Sequence, residues 1–111
     1  MKALHIKTTG QVQVVSFEND TCYKTLSDGV GGLIECVALS EQMDLWCNEE
    51  GKNEGRELNP LATRLFHEAR GQIDYIAGDA VITGGIDDDG NSLGLTDEQI
   101  DEITLYLVLT S

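Results

Sequence analysis

By type and spacing, the residues of this chain most suited to chemistry are Asp87, Asp89, Asn91 and Glu98. They fall at positions one, three, five and twelve of a calcium-binding loop, where oxygen ligands would face a hard divalent cation. Three departures argue against a metal: Ser92 stands where the sharp turn wants glycine, Gly94 replaces the usual branched residue, and the preceding segment reads as strand rather than helix. Asp97 and Glu98 also have a structural task, as acids in the first turn of a helix. A second group, Asn48, Glu49, Glu50, Arg56 and Asn59, places amides, carboxylates and a guanidinium on and beyond a polar loop, which is chemistry suited to a polar ligand. Turn formation at Asn48-Glu49-Glu50-Gly51 and helix capping at Asn59-Pro60 account for the same residues without one.

The remaining reactive types assemble nothing. Gly29, Gly31 and Gly32 follow a helix and precede a strand, the reverse of a phosphate loop, so they read as a helix stop at Gly29 and close backbone packing. Cys22, Cys36 and Cys47 form no close pair, and their odd number does not fit a secreted disulfide framework, so a reduced, cytoplasmic setting is expected. Cys36 and Cys47 read as small buried hydrophobes. His5 and His67 read as surface histidines, and Arg64, His67 and Arg70 as a weak, partly neutralised cationic patch on a helix. No catalytic residue and no cofactor is assigned.

The elements that must position these residues follow from hydrophobic period. Lys2 to Lys7 alternates Leu4 and Ile6 against Ala3, His5 and Lys7, and Gln11 to Phe17 resumes the period of two, which predicts an antiparallel hairpin over residues 1–18. A short helix is expected from about Thr21 to Ser27, then a strand pair over Leu33 to Leu39 and Met43 to Cys47. Asn59-Pro60 opens a helix that Gly71 ends, with Leu61, Leu65, Phe66 and Ala69 inward. Ala80 to Ile82 reads as a strand, and Thr96-Asp97-Glu98-Gln99 as the capping box of a last helix with Ile100, Ile103 and Leu107 on one face. The fold class is α+β: a small single domain of about five mostly antiparallel strands with three helices on one face or at the ends of the sheet.

Charge narrows the partners. Twenty acidic residues against seven lysines and arginines give a net charge of −13, while Met1 to Ile34 carries three of each sign, so the excess lies beyond Glu35. Phosphate-binding surfaces need clustered Lys and Arg, which are absent, so direct nucleic-acid or anionic-membrane binding is disfavoured. The N-terminus does not read as a signal peptide, and no apolar run is long enough to span a bilayer.

Val30-Gly31-Gly32-Leu33-Ile34-Glu35, Asn48-Glu49-Glu50-Gly51, Leu58-Asn59-Pro60-Leu61-Ala62-Thr63 and Gly78-Asp79-Ala80-Val81-Ile82 together resemble an uncharacterised domain-of-unknown-function family of small phage- and plasmid-associated bacterial proteins. The resemblance spans a core from 20 to 107. It implies a standalone α+β protein on mobile genetic elements and brings no catalytic or ligand residues. The expected function is an acidic, non-enzymatic accessory protein that meets a basic host or phage protein. The alternative is a small polar-ligand binder or enzyme using the Asn48–Glu50 and Asn59 region; DNA mimicry is weaker still. A homodimer would have to bury apolar strips against like-charge repulsion.

Overall fold

The computed structural model describes residues 1–110. Its single sheet holds β1 (Lys2–Ile6), β2 (Val12–Ser16), β3 (Ile34–Ser40), β4 (Met43–Asn48) and β5 (Ala80–Gly84), in the order β2-β1-β5-β4-β3. Every pairing is antiparallel. The two predicted strand pairs are present, and β5, last in sequence, inserts between them: Leu4 faces Ile82 on one side, and Ile82 faces Leu45 on the other. All five residues of β5 are buried, which is why Ala80 to Thr83 shows little alternation between apolar and polar types.

The three helices divide between the two faces of the sheet, where one face or the ends had been expected. α1 (Cys22–Val30) sets Leu26 and Val30 against Ala3, Val81 and Phe17. α2 (Pro60–Arg70) and α3 (Asp97–Leu109) bring Ala62, Leu65, Phe66, Ile103 and Leu107 to Leu4, Ile6, Leu45, Ala80 and Ile82 on the other face. The reason lies in β5. With Ile82 directed to one side and Val81 to the other, both faces of the central strand need apolar cover.

Helix boundaries follow their caps. The Asn59 side chain accepts from the Ala62 N–H with Pro60 in the first turn, and Thr96 and Gln99 make the reciprocal capping box of α3. α1 runs beyond the predicted end at Ser27. Its left-handed terminator is Gly31 (φ 78°), whose N–H bonds Ser27 O at 2.8 Å, and Gly29 lies inside the last turn. Gly29 is needed for proximity: a Cβ there would stand 2.6 Å from Val81 Cγ2. His5 lies under the same turn and donates from Nε2 to Gly29 O at 2.8 Å, with its side chain 16% exposed, so it is not a surface histidine. The polar-looking face of β1 is the face that α1 covers. In α2, Ala69, expected to face inward, is exposed, whereas Thr63 is buried and accepts from the Ile76 N–H at 2.9 Å.

Gly29→Ala adds helix propensity of under about 1 kcal/mol but forces α1 off a stiff, buried valine, an overpacking cost of roughly 1–3 kcal/mol. The expected net is a loss of about 1 kcal/mol, seen as a melting temperature lower by roughly 4–8 °C. An unchanged or raised melting temperature would show that the helix seat is not tight.

Candidate functional site

Asn48, Arg56 and Asn59 are all found holding backbone. Asn59 is fully buried: Nδ2 donates to Ile6 O (2.8 Å) and Gly78 O (3.0 Å), while Oδ1 accepts from Ala62 N (3.1 Å). One side chain thus joins the end of β1, the approach to β5 and the start of α2. Asn48, also buried, donates to Val30 O at 3.2 Å and accepts from Glu50 N at 2.8 Å, tying the end of β4 to the end of α1. Arg56 donates to Gly31 O (3.0 Å) and to Glu54 (2.9 Å), and its stem covers Gly78. Each of the two amides has its carbonyl oxygen and at least one N–H of its amide group in use. Buried polar groups require such partners.

Glu49 is exposed at the rim of a cavity of about 290 Å³, while Glu50, also exposed, does not line it and accepts from Asn53 at 2.9 Å. The cavity lies between β3, β4 and the 74–77 segment, with Val37, Phe66 and Ile76 at its base. Sequence reasoning missed most of its polar lining. Lys52 pairs with Asp74 and sits 4.5 Å over the Tyr75 ring; that hydrogen bond raises the lysine and lowers the carboxyl from their ordinary values. Glu35 reaches Cys47 Sγ at 3.7 Å. Burial first, then the Glu35 charge, pushes the Cys47 thiol up to about 12. Cys36 is exposed as a residue, but its sulfur lies against buried Asp44, and desolvation together with that carboxylate pushes it up to about 11. Neither thiol is prepared as a nucleophile.

The acidic turn folds as a local turn. Asp87 Oδ1 accepts from the N–H groups of Asp89 and Asn91, both at 2.9 Å, while Ile86 bridges Ser92 and Glu98 begins α3. Among the described residues no three His, Cys, Asp or Glu side chains gather as a metal site. The patch of Arg64, His67 and Arg70 also disperses, because the three reach the carbonyls of Leu107 (3.3 Å), Asp74 (2.7 Å) and Ala38 (2.9 Å), on three different segments. No helix among the described residues is long and apolar enough to cross a membrane.

Glu98 does take part in another feature. A groove of about 560 Å³ runs between the β3–β4 turn, the Gly84–Ile86 and Leu93–Gly94 backbones and the first turns of α3. Its charged residues are Glu41, Glu98 and Glu102, with no lysine or arginine, and Ile86 and Leu93 stand exposed beside them. Gln99 Nε2 holds the groove together by donating to Gln42 O at 3.0 Å. The Glu98/Glu102 spacing is legible as one helix turn; the approach of Glu41 comes only from the fold.

A family model described as Domain of unknown function (DUF3846) matches residues 1–107, a span that takes in the N-terminal hairpin as well as the core carrying the resemblance. No curated protein and no solved structure matches the chain.

Asn59→Ala leaves two carbonyls and a cap N–H without their partner, for an expected loss of roughly 3 kcal/mol in denaturant unfolding, whereas Glu49→Ala stays within about 0.5 kcal/mol of wild type. Equal effects would contradict the structural role of Asn59. For the thiols, a shift from 9.0 to about 11 leaves Cys36 near pH 8 with about one-hundredth of the ordinary thiolate fraction. Iodoacetamide should alkylate Cys36 about a hundredfold more slowly than an ordinary thiol, with the rate still rising as pH approaches 11, and Cys47 more slowly still. Labelling of folded protein at the ordinary rate would refute this.

Proposed function

Because the chain belongs to the family described as a domain of unknown function, which supplies no activity, we propose that it is a non-enzymatic interaction protein whose acidic groove receives a basic segment of a partner protein. The observation that carries this reading is the groove itself: Glu41, Glu98 and Glu102 line it without a lysine or arginine, next to exposed Ile86 and Leu93. A partner segment that alternates Lys or Arg with apolar residues would meet both kinds of surface.

The distribution of cations supports it. Among the described residues, Asp28, Glu54, Asp74 and Asp97 are the acids within ion-pair distance of a lysine or arginine. Arg64 and Arg70 are engaged with carbonyls, so most of the −13 charge remains available to an outside partner. The polar-ligand alternative has less to stand on, since Asn48 and Asn59 are occupied in holding the fold and Lys52 in pairing with Asp74. An accessory role on a phage or plasmid, in the cytoplasm of a bacterial host, belongs to this same proposal and rests on the resemblance.

The test is fluorescence anisotropy with a labelled peptide alternating Lys and Leu. At about 0.5 kcal/mol per exposed pair, substituting glutamine for Glu41, Glu98 and Glu102 together weakens binding roughly tenfold. A charge-matched control at Glu49, Glu50 and Glu57 changes it far less. Absence of binding at low salt, or equal losses in both triple variants, would overturn the proposal.

A further inference from the structure

The sheet has two open edges, and they are built differently. At the β3 edge, the bond from Glu49 N to Leu33 O (2.9 Å) fixes the alternation, so Ile34, Cys36 and Ala38 present their backbone groups outward. That edge is guarded. Arg70 reaches around from α2 to donate to Ala38 O at 2.9 Å, the register breaks between Ala38 and Ser40, and Glu35 places a charge on the strand.

The β2 edge has none of these devices. Lys7 N bonds Gln11 O and Phe17 N bonds Met1 O, both at 2.9 Å, so odd-numbered residues of β2 face β1, while the N–H and C=O of Val12, Val14 and Ser16 face outward. The register from Lys2↔Ser16 to Ile6↔Val12 is unbroken. Gln11 to Phe17 contains no charge and no proline, and Val14 is 53% exposed. An uncharged strand of high β-propensity, in unbroken register and with unpaired backbone groups, is a template for another strand.

We propose that β2 pairs antiparallel with β2 of a second copy of this chain, about a two-fold axis at Val14, making one continuous sheet across both copies. The charge distribution selects this occupant. Met1 to Ile34, which contains β1, β2 and α1, carries three charges of each sign, so two copies meeting at β2 join segments that bring no net charge to the join. The register is self-complementary: Val14 lies opposite its counterpart and Val12 opposite Ser16, so each outward N–H meets a carbonyl. No residue of β2 lines the groove of Glu41, Glu98 and Glu102, so the dimer does not use that surface.

Sedimentation equilibrium on the full chain, from micromolar to submillimolar concentration, tests the proposal. The expected result is a reversible dimer that strengthens with added salt, because salt screens the acidic repulsion. Val14→Lys sets like charges opposite each other, and Val14→Pro removes an outward N–H; each weakens association about tenfold or more without changing the circular dichroism spectrum. Should a variant fail to fold, wild-type amide exchange decides: Val14 exchange slows as protein concentration rises, and Gln13 exchange does not. A wild-type monomer at submillimolar concentration, a dimer unaffected by well-folded variants, or concentration-independent exchange at Val14 would each overturn it.

Discussion

Strand β5 is enclosed in every direction, and the rest of the molecule is arranged around that enclosure. Its backbone is paired with β1 on one side and β4 on the other, and Ala80, Val81, Ile82 and Thr83 are all buried. A strand with no edge and no face in water requires helices on both sides of the sheet, and it requires its neighbours in place before its own groups are satisfied. Asn59 secures the approach to it, linking Ile6 O and Gly78 O from the cap of α2. At its far end, Gly84 and Gly85 pass so close to the backbone that a Cβ would stand 2.6 Å from Gly94 O and 2.5 Å from Glu41 O. These glycines are conditions of packing.

The three arginines tie separate segments of the chain together. Arg56, Arg64 and Arg70 each donate to a main-chain carbonyl in a separate segment, closing the ends of α1 and α3 and the edge of β3. Cations near helix C-termini also complement the helix dipole. The acids are not uniformly spread: the first strands and first helix are balanced, and the groove at the start of α3 is not.

Much of the fold was legible. Five strands, three helices, both hairpins and the caps at Asn59 and Thr96 follow from period, β-propensity and capping chemistry, which depend on neighbours a few residues away. The candidate site was legible in a different sense. Asn48, Arg56 and Asn59 stand out as amides and a guanidinium on and beyond a polar loop, but sequence does not distinguish a polar group waiting for a ligand from one holding a carbonyl. Asn59 meets Ile6 across 53 residues, and Asn48 meets Val30 across 18. The groove was hidden for the same reason, since Glu41 and Glu98 come together only when the β3–β4 turn docks on α3.

By itself the sequence determined the type and approximate limits of each element and the acidic charge excess with its balanced N-terminal third. These are local or additive properties, set by residue type and spacing. Tertiary structure decided the insertion of β5 between two hairpins, the division of helices between the faces and the covering of His5 by α1. The physical reason is that strand order and helix placement minimise exposed apolar surface and unpaired backbone over the whole chain at once. The same alternation of Ala3 and His5 against Leu4 and Ile6 is compatible with either face being outside until α1 covers one of them.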